Sequence, residues 1–442
     1  MTEDTISQIA TPRGAGGIGI VRVSGSEALS VACRVFRSAK GRDLREMAPY
    51  TACYGHVVRA DGTVIDACIL LYMRAPHSYT GEDTIELQCH GGSIVLRAVL
   101  LRTWEAGARP AGAEEFTKRA FLSGRLDLAR AEGVMALIAA KSERAARAAQ
   151  ERIAGAFSHA IAAVRTRLLG SIARIEAGID FPEDDVEDME RDVLRAEIAA
   201  AHEAVTRLMR GAKTGRALRD GLKTVIVGRP NVGKSSLLNA LLGTERAIVT
   251  NVPGTTRDVI EEQMSVEGIP LRLLDTAGLR TSEDAVEQLG IARTEAHLLD
   301  AELILAVFDG AAARTAEDDA LIARLKGCRA HMIVLCNKSD CAPVLTAEDF
   351  SVLSARVLFV SARTGAGLDE LRRAIADGAV EAEGDLDDGA LPNKEREVEA
   401  LQRAARHLTE AEKTLAAEMG TDFISIDLRA AYDALGEILG ET

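Results

Sequence analysis

Residues 228 to 235 read GRPNVGKS and match the G-x-x-x-x-G-K-S pattern of a phosphate-binding loop. They follow the apolar stretch TVIV and open the helix-forming stretch SSLLNALLG, which is the context that this pattern requires. In such a loop, backbone amides and a helix N-terminus surround phosphate oxygens. Lys234 is then placed to carry positive charge to the β and γ phosphates, and the Ser235 hydroxyl is placed to bind Mg2+. The sequence therefore predicts a nucleoside triphosphate site with magnesium.

Four further polar elements follow this loop in the order that GTPases share. They are TTRD (255 to 258), DTAG (275 to 278), NKSD (337 to 340) and SAR (361 to 363). In NKSD, the Asp340 carboxylate can accept two hydrogen bonds from the Watson–Crick edge of guanine. Adenine presents an acceptor at N1 and only hydrogen at carbon 2, so it cannot donate both bonds. The predicted nucleotide is therefore GTP.

The residues predicted to contact GTP lie in these five elements or directly beside them. They are Asn231, Val232, Gly233, Lys234, Ser235, Ser236, Thr250, Asn251, Val252, Pro253, Gly254, Thr255, Thr256, Asp275, Thr276, Ala277, Gly278, Asn337, Lys338, Asp340, Ser361, Ala362 and Arg363. Ser235 and Thr256 are the predicted Mg2+ ligands. Leu279 raises a problem, because many GTPases of this type carry at this position the glutamine that orients the attacking water. A leucine side chain cannot hold a water, so another group must do so.

Composition limits the class of protein. The 442 residues are enough for roughly three domains, and a hydrophobic content of 47% supports packed cores. The formal net charge of -14 argues against general electrostatic attraction to nucleic acid. Any RNA contact must then be local. The Arg- and Lys-rich residues 207 to 223 are a candidate, although such runs are usually a solvated helix face and linker.

The cysteines and the apolar segments indicate a cellular compartment. The seven cysteines show no CxxC spacing and are odd in number, so we expect buried or idle thiols in a reducing cytosol. The N-terminal segment MTEDTISQIATPRG lacks an apolar signal region, and no apolar run approaches the ~18 residues needed to span a bilayer. We therefore expect a cytoplasmic protein that is neither exported nor inserted into a membrane.

The pattern of apolar residues changes three times along the chain. The predicted parts are a mixed α/β region (1–118), a helical region (119–218), a region of alternating strands and helices (219–378) and a second helical region (379–442). Within the first part, Asp61-Gly62 predicts a hairpin turn between two strands. Because helical material lies on both sides of the third part, the simplest inference is an α/β domain inserted into a helical one.

Three segments ahead of the phosphate loop identify a family. They are TPRGAGGIGIVRVSG (11 to 25), PHSYTGEDTIELQCHGG (76 to 92) and EFTKRAFLSGRLDLARAEG (115 to 133). Together with GRPNVGKS, TTRD and DTAGLR, they closely resemble the MnmE (TrmE) family of tRNA-modification GTPases. The resemblance covers nearly the whole chain. It implies a multidomain fold with an α/β N-terminal folate-binding domain, an all-α helical domain and an inserted Ras-like P-loop α/β G domain.

The resemblance also implies a substitute for the missing glutamine. In the family, a glutamate beyond DTAG and a potassium ion handle the attacking water, and the matching carboxylate here is Glu287. The implied catalytic residues are Glu287, Lys234 and Asn231, and the implied potassium ligands are Asn231, Thr250, Val252 and Thr255. A cation beside the phosphates stabilises developing negative charge much as an arginine finger does. In the family, two G domains face each other to form this site.

For the N-terminal region, the resemblance implies a homodimer that binds 5-formyl- or methylene-tetrahydrofolate. The positions matching the folate contacts are Arg22, Glu86 and Arg125. Arg125 departs from the lysine that is usual in the family but keeps its charge. Glu86 suits the task, because a carboxylate can accept two hydrogen bonds from a pterin. The family works with the FAD-dependent partner MnmG, as a heterotetramer, on carbon 5 of the wobble uridine of certain tRNAs.

A function of another class would share the G domain. Ribosome-assembly or regulatory GTPases of the Era or Der type are binding switches without one-carbon chemistry. A KH-like domain after the G domain or a second phosphate loop would favour that function, and the sequence shows neither. Members of the MnmE family typically end in a short Cys-x-Gly-Lys tail, whereas this sequence ends DALGEILGET. We expect the tail to be either truncated from this chain or dispensable in this member.

Overall fold

The N-terminal unit is a sheet of strands that alternate buried and exposed residues. The computed structural model describes residues 4–12, 14–180, 187–243, 262–274, 297–379, 387–417 and 420–441, in two compact units, Met1–Ala131 and Glu132–Thr442. The first unit contains β1 (Ile6–Ile9), β2 (Gly16–Ser24), α1 (Ala28–Val35), β3 (Phe36–Ser38), β4 (Thr51–Val58), β5 (Val64–Met73), β6 (Thr84–Gly91), α2 (Ser93–Glu105), β7 (Arg109–Pro110) and α3 (Glu115–Leu122). The strand order is β3-β4-β5-β6-β2-β1-β7, antiparallel except between β1 and β7.

Helices α1 and α2 pack on one face of this sheet and bury its aliphatic residues, among them Val21, Leu70 and Leu87. The predicted hairpin is confirmed, since β4 and β5 pair on either side of Asp61-Gly62. Gly62 has a φ of 87°, which a glycine adopts without strain, and Asp61 accepts a hydrogen bond from the Thr63 amide at 2.9 Å.

Among the described residues, five helices come next in the chain, and their buried residues are mostly small or aliphatic. They are α4 (Leu128–Ile138), α5 (Glu143–Ala154), α6 (Ala156–Asp180), α7 (Glu187–Arg210) and α8 (Ala212–Asp220). Ile161 and Leu168 on α6, and Ile198 and Val205 on α7, are fully buried at helical spacing. The predicted helical pattern of this region is confirmed.

The α/β part of the second unit is built around a mostly parallel sheet. Its elements are β8 (Leu222–Val227), α9 (Lys234–Leu242), β9 (Glu262–Val266), β10 (Ile269–Leu274), β11 (Leu303–Asp309), α10 (Ala316–Leu325), β12 (His331–Asn337), β13 (Arg356–Phe359) and α11 (Leu368–Ala379). The order β13-β12-β11-β8-β10-β9 is parallel except for the antiparallel pair β9–β10. Separate hydrophobic clusters contain alternate residues of the central strands. Strand β9 was not predicted from the sequence.

Two further helices, α12 (Glu395–Ala416) and α13 (Thr421–Leu439), follow the α/β part and complete a four-helix arrangement. Helix α12 packs on α7 and α13, while α6 packs on α7 and α13. The four helices share an aliphatic core to which Leu401 on α12 and Leu428 on α13 contribute. The core of the helical part is therefore formed by chain from both sides of the sheet, so the predicted insertion is confirmed.

A buried ion pair ties α5 to the start of α12. The side chains of Arg152 and Glu397 are 2% and 0% exposed and form a direct salt bridge. Arg152 Nη1 also donates to the Leu391 carbonyl at 2.9 Å, and Glu397 Oε2 accepts from the Asn393 amide at 2.9 Å. Because both charges are buried, removing one of them leaves the other without compensation.

Glu397→Ala should therefore lower the free energy of unfolding by about 3–5 kcal/mol, because Arg152 would stay buried without its counter-ion. The matched control is Arg403→Ala, because the Arg403–Glu437 pair has both side chains 39% exposed. That control should cost at most about 1 kcal/mol. Urea unfolding followed by far-UV circular dichroism measures both, and equal losses in the two variants would contradict the buried pair's structural role.

Candidate functional site

The phosphate loop connects β8 to α9 through an irregular backbone. Asn231 and Gly233 both have positive φ, at 63° and 97°, within a loop that otherwise leads directly into the helix at Lys234. A Cβ added at Gly233 would lie 2.2 Å from Nδ2 of Asn337, so only glycine fits there. Loops with this alternation of backbone conformations expose successive N–H groups towards an anion. The loop therefore fits the predicted triphosphate.

Lys234 lies along the loop that it follows. Its Nζ donates to the carbonyls of Gly228 and Arg229, at 2.7 and 2.9 Å. Burial lowers the pKa of Lys234, which nevertheless begins from a value far above neutrality. The loop thus holds a cation at the position where the sequence predicts compensation of phosphate charge.

The side-chain amide of Asn337 joins the phosphate loop to the SAR element. Its Nδ2 donates to the Val232 carbonyl at 2.8 Å, and its Oδ1 accepts from the Ala362 amide at 3.1 Å. Asn337 itself is buried at the end of β12. Both ends of the amide are engaged by backbone, so Asn337 positions two loops that the sequence predicts on opposite parts of the nucleotide.

Asp340 presents its carboxylate among hydrogen-bond donors. Ser361 Oγ donates to Asp340 Oδ1 at 2.6 Å, and Arg363 forms a salt bridge with Oδ2. The hydrogen bond from Ser361 and then that from Arg363 lower the pKa of Asp340. The group is therefore ionised at neutral pH and acts only as an acceptor, which is what the N–H groups of guanine need.

A cluster of charged side chains, which sequence reasoning missed, joins the NKSD element to the phosphate loop. Lys338 Nζ donates to Asp309 Oδ2 at 2.6 Å, and Arg229 of the phosphate loop has Nη2 3.9 Å from the same oxygen. Arg229 Nε is 3.3 Å from Asp318 Oδ2. Burial raises the pKa of Asp309, but the hydrogen bonds from Lys338 and the Ala311 amide and the charges of Lys338 and Arg229 together lower it below its usual value. The available signal was the aspartate that ends the strand LILAVFD.

Many of the predicted nucleotide and cation contacts lie outside the described residues. They are Thr250, Asn251, Val252, Pro253, Gly254, Thr255, Thr256, Asp275, Thr276, Ala277, Gly278 and Glu287, together with Leu279. Ser235 and Ser236 are described, and both are exposed in the first turn of α9. The structure thus brings together the phosphate loop, NKSD and SAR.

In the first unit, Arg22 and Glu86 face each other on neighbouring strands β2 and β6. Arg22 Nε and Nη2 lie 2.9 and 2.8 Å from Glu86 Oε1. The Arg22 guanidinium also lies 5.7 Å from the ring centroid of Tyr79 and 5.5 Å from that of Phe116, within the range of cation–π attraction. Sequence reasoning missed these two aromatic residues, because an isolated aromatic residue carries no pattern.

Arg125, the third predicted folate residue, is exposed just after α3. Its Cγ lies 3.3 Å from the position that a Cβ on Gly81 would occupy, so its stem packs close to the turn that follows Tyr79. Gly81 is two residues along the chain from Tyr79, whose ring contacts the Arg22 guanidinium. An anionic or pterin-like ligand would find charged and aromatic groups on this part of the unit.

Other predictions can be compared with the described residues. All seven cysteines are among them and are free thiols. In the same residues there is no group of three or more His, Cys, Asp or Glu side chains that could hold a metal ion, and no helix has the length and hydropathy of a membrane span.

In the basic stretch 207 to 223, Lys223 pairs with Asp300 at 2.8 Å and Arg219 pairs with Asp220 at 2.5 Å.

Comparisons with known proteins agree with these features. A family model described as the MnmE helical domain matches residues 128–442, and one described as the GTP-binding protein TrmE N-terminus matches residues 5–125. The G domain of the T. maritima FeoB iron transporter is 32% identical and covers 35% of this chain and 97% of its own, but its TM-score of 0.26 supports no argument.

Curated relatives match over full length. The tRNA modification GTPase MnmE of Symbiobacterium thermophilum is 49% identical, with 100% of this chain and 96% of the relative covered. The protein of the same name from Alkaliphilus metalliredigens is 42% identical with the same coverage. The chain therefore belongs to the MnmE family of tRNA modification GTPases.

Proposed function

We propose that this chain is a potassium-stimulated GTPase that acts with MnmG to modify carbon 5 of the wobble uridine of certain tRNAs, with tetrahydrofolate as the one-carbon donor. The observation that carries the proposal is the pair of family matches, over residues 5–125 and 128–442, with the phosphate loop inside the second match. An Era- or Der-type GTPase would share only the G domain, so the N-terminal match argues against that alternative.

The proposed domain organisation follows the sequence prediction. We assign residues 1–118 to dimerisation and folate binding, 219–378 to GTP, and 119–218 with 379–442 to the helical domain. In this proposal the first domain forms the homodimer, the dimer joins MnmG as a heterotetramer in the cytoplasm, and the redox chemistry belongs to the FAD of that partner. In this proposal, the cycle of GTP binding and hydrolysis drives motion of the G domain.

Guanine selection in the proposal depends on Asp340. The carboxylate is held by Ser361 and Arg363, so its orientation is fixed before the base arrives. A preorganised acceptor of this kind favours the base that carries the matching donors, because a base without them cannot make these hydrogen bonds.

Phosphoryl transfer in the proposal depends on charge placed before the reaction. Lys234 is already held beside the phosphate loop, and Ser235 would hold Mg2+. The exposed Asn231 would hold potassium, with Thr250, Val252 and Thr255 as further ligands. The two cations would neutralise charge that grows in the transition state. Glu287 would orient the attacking water in place of the residue that Leu279 cannot supply.

Folate recognition in the proposal depends on the Arg22–Glu86 pair. Both contacts of Arg22 fall on Glu86 Oε1, and two aromatic rings flank the guanidinium. Arg22 would fix the carboxylate as an acceptor for the pterin amino and ring N–H groups. The positive charge of Arg125 would serve an anionic part of the ligand.

Asp340→Asn should weaken GTP by about ten- to a hundredfold, because a hydrogen bond to a charged group contributes roughly 1.5–3 kcal/mol. Xanthosine triphosphate should then be preferred, since its extra carbonyl accepts from an amide. Asp377→Asn, on an exposed carboxylate of α11, is the control and should leave both affinities unchanged. Equilibrium titration with fluorescent nucleotides checks this, and unchanged GTP affinity in Asp340→Asn would remove the proposed role in base recognition.

Replacing potassium with sodium should slow GTP hydrolysis by the wild type, and Asn231→Ala should reduce that difference. Glu287→Ala should lose about ten- to a thousandfold in kcat while nucleotide affinity barely changes, as expected for a group that acts in the transition state. Steady-state phosphate release in the two salts, beside nucleotide titration, provides the measurement. Equal rates in sodium and potassium would rule out the proposed cation.

Glu86→Gln should weaken 5-formyl-tetrahydrofolate binding by about tenfold or more, because the amide offers one acceptor fewer and no charge. GTP hydrolysis should persist, since Glu86 lies in the other unit. The control is Glu105→Gln, an exposed glutamate of α2 in the same unit. Isothermal titration calorimetry on the full chain measures the affinity, and equal binding by Glu86→Gln and wild type would contradict the folate assignment.

A further inference from the structure

The turn between β9 and β10 contacts the helical part of the same unit. Because Val266 pairs with Ile269, the turn consists of two residues, Glu267 and Gly268. Both have positive φ, at 50° and 75°, as a tight two-residue hairpin requires. A loop this short fixes the register of its strands, so a displacement of the turn displaces β10.

The Ser142 hydroxyl makes two hydrogen bonds, one as a donor and one as an acceptor. It accepts from the Ala145 amide at 3.1 Å as the N-cap of α5, and it donates to the Gly268 carbonyl at 2.6 Å. A Cβ on Gly268 would lie 2.8 Å from Arg144 Cβ, so the backbone of the turn packs directly on α5.

Arg144 is itself fixed by a third segment. Its Nε and Nη2 donate to the two carboxylate oxygens of Asp388, at 2.6 and 2.9 Å. Such paired contacts restrict a guanidinium to one geometry. Asp388 lies in the chain that returns from the α/β part to α12, so the start of α5 holds both this returning chain and the β9–β10 turn.

We propose that Ser142 and Arg144 are positioning residues for GTP hydrolysis, and that they act through the Glu267–Gly268 turn on strand β10. The last residue of β10, Leu274, directly precedes Asp275 of the DTAG element in the chain. Strand β10 also pairs with β8, which leads into the phosphate loop. The helical domain therefore sets the placement of β10, which pairs with β8 and leads along the chain to the DTAG element. This inference rests on GTP hydrolysis by the chain and needs neither tRNA nor folate.

The test separates the hydrogen bond to the turn from the helix cap. Ser142→Asp keeps an N-cap acceptor for Ala145 but can no longer donate to Gly268. Ser142→Thr keeps both functions. The outside control is Thr346→Ala, which removes a cap hydroxyl within the α/β part whose partner is Asp349.

In the full-length chain, Ser142→Asp should lower kcat for GTP hydrolysis by about three- to tenfold, with nucleotide Kd unchanged within about twofold, because misplacement affects the reaction more than binding. Amide hydrogen exchange over residues 267–274 should accelerate in Ser142→Asp, since the turn loses its anchor. Ser142→Thr and Thr346→Ala should match wild type in both measurements.

Wild-type kcat in Ser142→Asp would overturn the inference, as would a lower kcat with unchanged exchange over residues 267–274. A loss in Thr346→Ala equal to that in Ser142→Asp would reduce the effect to general destabilisation and would also overturn it. If the wild type did not hydrolyse GTP, the proposed function would fail. The exchange measurement would still decide whether Ser142 anchors the turn.

Discussion

The buried amide of Asn337 sets the spacing between the phosphate loop and the SAR element, the two loops proposed to recognise the nucleotide. The phosphate loop follows β8 and the SAR element follows β13, two strands that are not neighbours in the sheet. One planar side chain joins them, with a donor to Val232 and an acceptor from Ala362. Because the amide is buried, water does not compete for these bonds. The distance between the phosphate loop and the SAR element is thus a property of the folded sheet.

The topology explains why the site forms at this edge. Strand β8 lies between β10 and β11, so the strand order departs in two directions from the strand that carries the phosphate loop. Such a point leaves a crevice beyond the carboxyl ends of parallel strands. The helical domain supports this arrangement from outside: its four-helix core closes only when the chain returns after α11, and the Arg152–Glu397 pair fixes that return.

Sequence reasoning succeeded where chemistry depends on local patterns. GRPNVGKS, NKSD and SAR lie at strand ends, and the predicted alternation of strands and helices in the α/β part is confirmed, although β9 was not predicted. It missed contacts between residues far apart in the chain. Ser142 reads as an ordinary helix cap, and nothing local marks its bond to Gly268. The partners of Arg22 and Asp309 were missed for the same reason, since only the tertiary structure brings Tyr79 and Lys338 to them.

In the proposed function, GTP hydrolysis by this chain serves uridine modification in tRNA. Its most direct test is nucleoside mass spectrometry of unmodified tRNA after incubation with this chain, MnmG, methylene-tetrahydrofolate, an amine donor and potassium. The account predicts a wobble uridine substituted at carbon 5 when GTP is present, and its absence when a non-hydrolysable GTP analogue replaces GTP. Equal modification with the analogue, or GTP hydrolysis with no modified uridine in the complete mixture, would contradict the account.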